Sequence, residues 1–172
     1  MLHDPLLLDA LEQFDSAPWQ GTVYRHVLGS YPPDLANVRG ARWNPPEVSA
    51  LYVSREEETA SAEGARVLEV QSVPPRVKRS IYELDVDLER VLDLTIGSRL
   101  TDVGLNNDDL RGDNFEACQR VGGAVAWIGH DGLLVPSARV AGGSNLVIYT
   151  SNQAPESEIR SLRHWEIEAS PQ

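Results

Sequence analysis

Cysteine is almost absent: Cys118 is the one thiol in 172 residues. A single thiol forms no internal disulfide, and a reducing, cytoplasmic setting is the expectation. No Cys-x-x-Cys occurs, and His3, His26, His130 and His164 are scattered along the chain. That spacing builds no zinc site, so no metal is expected. Long apolar runs are missing as well. The leucines near the N-terminus are interrupted by Asp9 and Glu12, and no Lys or Arg precedes them. They do not read as a signal peptide, and nothing approaches the roughly 20 apolar residues of a membrane span. Positive charge is short, with 15 Lys and Arg against 26 Asp and Glu and a net charge of −11. A broad nucleic-acid footprint needs clustered Lys and Arg, so direct nucleic-acid binding is not expected. A local basic pocket for a small anion stays open. Also lacking are a GxGxxG after a strand, a Walker A loop and a GxSxG elbow.

What is present suits one domain, with 41% hydrophobic residues to build its core. Leu7, Leu11 and Phe14 recur at helical spacing over residues 5–14, and Pro18 to Gly21 break that helix. Residues 22–28 read as a strand. A long loop follows over 29–48, with Pro32, Pro33, Pro45 and Pro46. Unstructured loops of about 15 residues or more are uncommon in small domains and are often functional. Residues 50–54 read as a short strand. Ser54 with Glu57 forms a capping-box pattern for a helix to about Val70, and Pro74-Pro75 close the region.

Residues 80–88 alternate as a half-buried strand. Asp113 and Glu116 suggest a second capped helix, stopped by Gly122-Gly123. Strands are expected at 125–128, 133–135 and 146–149, and the charged tail 156–172 is ambiguous. This order lacks regular βαβ alternation, which disfavours a doubly wound parallel sheet.

Four features could carry chemistry. Arg25 shares a strand face with Val23 and Val27, so it is a partner in a structural salt bridge, a snorkelling edge residue, or an anion ligand in a cleft. Gly40-Ala41-Arg42-Trp43-Asn44 lies in the long loop. Its small residues admit a ligand to the backbone, and Arg42 can grip a phosphate with two prongs. Trp43 either stacks on a ligand or pins the loop. Glu63 follows Tyr52 by eleven residues and shares a helix face with Ala60 and Val67. Most helix glutamates are solvated; one on an apolar face is a better functional candidate. Ser137 sits beyond a strand-ending Pro136, with no partners for a nucleophile, and reads as a hydrogen-bonding group.

In order and spacing these segments resemble the RES-domain toxins of bacterial toxin–antitoxin systems, a family named for its Arg, Glu and Ser. The carrying pieces are Tyr24-Arg25, Gly40 to Asn44, Ala50 to Ser54, Thr59 to Glu63, Val135 to Arg139 and Asn145-Leu146-Val147. They span 22–150, about three quarters of the chain. Two departures stand out: Ala41 replaces the usual glycine, and Pro45-Pro46 stand where a glycine is common.

The resemblance implies a mixed α/β domain like that of ADP-ribosyltransferases, with a split, curved sheet around an NAD cleft. The implied activity is NAD⁺ degradation at the nicotinamide–ribose bond, with phosphate or water as acceptor. NAD⁺ is then the substrate, and no cofactor is implied. Arg42, Tyr52, Glu63 and Ser137 would form the catalytic set. Arg25, Gly40, Arg42, Trp43, Asn44, Tyr52 and Ser137 would surround NAD⁺. The implied partner is an Xre-type antitoxin that covers the cleft. An arginine-directed protein ADP-ribosyltransferase is disfavoured because Ser61 stands where a second acidic group belongs. A non-catalytic NAD-binding module is the third reading.

Overall fold

Asp4 starts the first helix, α1 (Pro5–Glu12): its carboxylate accepts from the Leu6 N–H at 3.0 Å, and Pro5 suits the first turn. Leu7 and Leu11 are its buried stripe. Strands β1 (Ser16–Leu28) and β2 (Ala50–Ser54) follow, then helix α2 (Glu57–Val70) and the long strand β3 (Arg79–Asp93). Three helices come next: α3 (Arg99–Asp102), α4 (Asn107–Arg111) and α5 (Glu116–Ile128). Strands β4 (Gly132–Pro136), β5 (Ser144–Tyr149) and β6 (Glu158–Ile167) complete the chain. These elements are seen in a computed structural model that describes residues 2–71 and 76–168. The expected stop at Pro74-Pro75 lies outside the described residues.

The strands run β1-β2-β5-β4-β3-β6, and β1 also pairs with β3. The sheet therefore curls until its first strand meets its fifth, and β6 extends along β3. Only β3 and β4 are parallel among the described pairs. β1 and β3 pair antiparallel from Ser16↔Leu92 to Leu28↔Arg79. β1 and β2, by contrast, share the single pair Tyr24↔Ser54. The curled sheet is split at that point.

Period-two burial sorts the core into two layers. Leu134, Leu146 and Ile148 pack with Val23, Leu51, Leu84, Val86 and Leu88. Leu133, Val135, Val147 and Tyr149 face the helices and meet Leu7, Leu11, Cys118, Val121 and Val125. No helix among the described residues is long and apolar enough to cross a membrane.

The mixed α/β architecture with a split, curved sheet is as expected, and several local expectations need correction. Pro18 to Gly21 do not end structure; they belong to β1, whose register shifts between Ala17 and Trp19. Pro18 has no N–H for the ladder and sits in that irregularity. Ser54 does not cap α2. Its hydroxyl donates to Asn145 Oδ1 at 2.7 Å, and Glu56 precedes the helix without a side-chain cap. Asn114, not Asp113, accepts from the Glu116 N–H at 2.9 Å at the start of α5.

Gly122-Gly123 do not stop α5, so the strand expected at 125–128 is helix; Gly129, at φ 97°, ends it. The ambiguous tail contains β6, an edge strand whose side chains are mostly exposed, which leaves little alternation to read. Gly122 has another purpose. A Cβ there would collide with the Trp43 carbonyl, so only glycine lets α5 approach that loop. Gly122→Ala is therefore expected to lower unfolding stability by about 1–3 kcal/mol, read from the midpoint of urea unfolding.

Candidate active site

A cavity of about 710 Å³ is bounded by β1, β2, α2 and the 29–48 loop. Its size suits a small-molecule ligand. The loop that forms one wall has no regular structure, so side chains supply its backbone partners. Ala41 and Asn44 bond each other's backbones at 3.0 and 3.4 Å, which puts Arg42 and Trp43 at the tip of a tight turn. Gln119 donates to the Ala41 carbonyl at 2.9 Å, and the Tyr149 hydroxyl donates to the Trp43 carbonyl at 3.0 Å. Asn44 donates to the Val48 carbonyl at 2.7 Å. Where the loop passes Pro45-Pro46, Glu47 takes φ 76°, a region that favours glycine.

Tyr52 holds the turn from β2. Its hydroxyl donates to Asn44 Oδ1 at 2.7 Å and accepts from the Trp43 N–H at 2.9 Å. Burial pushes the phenol's pKa up, so it stays protonated. With its hydroxyl engaged, Tyr52 offers the cavity its ring. Trp43 is buried in the core and borders the cavity from below.

Arg42 and Arg25 both reach the cavity. Arg42 donates to the Asp109 carbonyl at 2.9 Å, and its guanidinium lies over the Phe115 ring, 4.4 Å from the centroid. Arg25 donates to the carbonyls of Leu35 at 2.8 Å and Tyr52 at 3.4 Å. Burial lowers its pKa to about 10, with Asp34 acting the other way, so it remains charged at neutral pH. Among the described residues neither arginine has a carboxylate in salt-bridge range. The open choice for Arg25 thus falls away from a structural salt bridge. A cationic cavity sits in an acidic protein.

Glu63, two turns into α2, faces the arginines' side of the fold from the opposite wall. Its Oε1 accepts from Ser137 Oγ and from Asn145 Nδ2, both at 2.9 Å. Ser137 is oriented in turn by the N–H groups of Arg139 at 3.1 Å and Val140 at 3.2 Å. Asn145 is oriented by Ser54. Glu63 Oε2 has no hydrogen-bond partner among the described residues and can accept from a ligand.

The structure thus gathers Arg25, Gly40, Arg42, Trp43, Tyr52 and Glu63 around one cavity. Asn44, fully buried, stands behind the wall and ties the loop. Ser137 stands behind Glu63. Asn145 and Ser54 also line the cavity, outside the site residues expected from the sequence. Their signal was weak: one polar side chain near a strand's start, another at a strand's end. No group of three or more His, Cys, Asp or Glu side chains forms a metal cluster among the described residues.

The RES domain family model matches residues 16–170. The chain belongs to the RES domain family. It is 33% identical over 159 residues to the NAD(+) phosphorylase MbcT of Mycobacterium tuberculosis, covering 87% of this chain and 83% of that protein. The Mycobacterium bovis protein of the same name matches equally. The crystal structure of the M. tuberculosis MbcT–MbcA toxin–antitoxin complex superposes with a TM-score of 0.83. That match has 28% identity and covers 95% of this chain and 93% of the solved one. The RES match extends past the 22–150 core on both sides and includes β6.

His26 also borders the RES cavity. Burial, then the charges of Arg79 and Arg25, lower its pKa from the ordinary 6.5 to about 4. Burial lowers His130 too. Between those values the unfolded chain binds protons that the folded chain refuses, so stability must fall as pH falls. The melting temperature is expected to drop between pH 6.5 and about 4. His26→Asn should flatten that slope, and an unchanged slope would remove His26 from the account.

Proposed function

We propose that this RES protein is a toxin that degrades NAD⁺, with inorganic phosphate as acceptor, and that a cognate antitoxin neutralises it. One observation carries the reading. A carboxylate held at one oxygen, Glu63, faces a dinucleotide-sized cavity that bears unneutralised arginines. The similarity to proteins named NAD(+) phosphorylase supports the same reaction.

The chemistry fits these residues. A phosphate oxygen forms a bond to C1 of the nicotinamide ribose as the C–N bond breaks. The bond's electrons leave with nicotinamide, which departs neutral, and ADP-ribose carries the new phosphate. The transition state resembles an oxocarbenium ion. Glu63 Oε2 takes the ribose hydroxyls and stabilises the developing positive charge. Ser137 and Asn145 fix that carboxylate before substrate arrives. Arg42 and Arg25 hold the diphosphate, and the Tyr52 ring packs on nicotinamide. Gly40 lets the substrate approach the loop, while Trp43 and Asn44 keep the loop's shape. No metal or cofactor takes part.

The neutralising partner is proposed to be an Xre-type protein. With a net charge of −11, this chain needs that partner to supply any operator contacts. A partner segment offering a carboxylate to Arg25 and Arg42 would replace the diphosphate and compete with NAD⁺. Protein ADP-ribosylation is the second reading. It is weakened by Ser61, which supplies no second carboxylate two residues before Glu63.

Incubation with NAD⁺, with and without inorganic phosphate, tests the reaction. Phosphorylated ADP-ribose only when phosphate is present supports phosphorolysis. Unmodified ADP-ribose points to water, and a labelled protein to transfer. No nicotinamide at all would end the enzymatic reading. Glu63→Gln is expected to fold normally and to lose about 10²-fold or more in NAD⁺ consumption, the scale of one preorganised electrostatic group. Arg42→Lys keeps the charge and loses the fork, and calorimetry should show much weaker NAD⁺ binding. Near-normal turnover or affinity would reassign these two residues.

A further inference from the structure

Strand side chains alternate, so consecutive residues line one cavity only where the strand's edge faces it. Tyr24, Arg25 and His26 do so. The edge is available because β1 keeps only the Tyr24↔Ser54 pair with β2. His26 is therefore part of the cavity wall, and its ring is held there from two directions.

Gly64 of α2 lies against the ring. A Cβ at that position would overlap the imidazole, so the helix carries no side chain where His26 packs. From the other direction, Arg79 Nε donates to His26 Nε2 at 3.1 Å. An arginine only donates, so Nε2 is the lone-pair nitrogen and the ring's hydrogen sits on Nδ1. Nδ1 makes no hydrogen bond among the described residues and keeps contact with solvent.

Arg79 is itself buried, at 6% exposure. Its other bond is to the Glu168 carbonyl at 3.4 Å. No carboxylate of the described residues lies in salt-bridge range of it. Arg25, the neighbour on β1, has only carbonyl partners, and its Nε is buried without any. A half-buried guanidinium and one imidazole N–H thus face the β1 end of the cavity, with the buried Arg79 behind them. Such a group is costly unless an anion completes it.

We infer that His26 is a further substrate-contacting residue, donating Nδ1–H to a phosphate oxygen, and that Arg79 is the positioning residue that fixes its tautomer. The phosphate belongs either to the dinucleotide's diphosphate or to the inorganic acceptor. Both present the same anionic oxygens. The kinetic arm of the test rests on the NAD⁺ phosphorylase reading; the spectroscopic arm does not.

In the kinetic arm, NAD⁺ and phosphate are varied separately for His26→Leu and His26→Asn. His26→Leu should raise one KM about tenfold or more while kcat changes less, the scale of a lost bond to a charged group. His26→Asn, which restores an N–H donor, should recover part of the loss. A rise confined to phosphate assigns the acceptor, and one confined to NAD⁺ assigns the diphosphate.

In the spectroscopic arm, ¹⁵N-labelled imidazoles of the intact protein are followed by NMR. His26 should show one tautomer, hydrogen on Nδ1, and Arg79→Met should abolish that preference. Titration of the unsubstituted protein with inorganic phosphate, and separately with ADP, should shift the Nδ1 signal with one of them. A shift without NAD⁺ consumption would sink the enzymatic reading and leave the His26 site standing. Two unchanged KM values in folded His26→Leu, with an Nδ1 signal moved by neither anion, would overturn the inference.

Discussion

Everything about the cavity depends on the Tyr52 hydroxyl. It is a single group on a short strand, yet it accepts from the Trp43 N–H and donates to Asn44. Without it the turn that carries Arg42 is tied to the sheet at its tip only through the Tyr149 hydroxyl on the Trp43 carbonyl. A loop of this length would otherwise leave buried backbone groups unpaired, each costing about 1–3 kcal/mol. Asn44, Gln119 and Tyr149 satisfy the neighbouring groups in the same way. The result is an irregular loop with the fixed geometry of a strand. Asn44, Gln119 and Tyr149 steady the turn that carries Arg42 without lining the cavity, whereas Tyr52 does both.

Glu63 depends on a comparable chain of bonds, this time across the opposite wall. Ser54 orients Asn145, Asn145 and Ser137 hold one carboxylate oxygen, and the N–H groups of Arg139 and Val140 hold Ser137. Three segments of the fold, β2, β5 and the turn over 137–140, thus fix one side chain on α2. That matters because electrostatic stabilisation is worth most when it needs no reorganisation as charge develops. A glutamate free to rotate on a helix surface would spend conformational entropy in every turnover.

The sequence made this site more legible than the surrounding folds of chain. Arg25, Arg42, Tyr52 and Glu63 announced themselves because each is a polar group in an apolar or glycine-containing context. The alternation of residues 80–88 marked β3, although the strand runs on to Asp93. What failed were signals with two physical causes. Paired glycines end helices, but Gly122 is small because α5 must touch the Trp43 carbonyl. A Ser followed three residues later by Glu caps helices, but Ser54 faces across to β5 and bonds Asn145 instead. Asn145 could not be found from local spacing, since its partner lies 82 residues away. β6 was hidden for a different reason: an edge strand with most side chains exposed carries little hydrophobic period to read.

The charge balance explains how such a site is kept. Folding buries Arg79 and half-buries Arg25, neither with a carboxylate in contact, a cost that the packed sheet has to offset. Supplying internal carboxylates would stabilise the empty protein and fill the positions an anionic ligand needs. Much of the acidic charge lies elsewhere, on exposed residues such as Glu57 and Glu58 of α2, Asp108 of α4 and Glu158 of β6, where solvent screens it. The cavity therefore stays cationic at short range while the molecule repels polyanions at long range. Whatever anion enters, substrate or a partner's carboxylate, completes groups that the fold left unpaired, and its binding adds to stability by mass action. Site and stability are thus in tension in the free protein and in agreement in the liganded one.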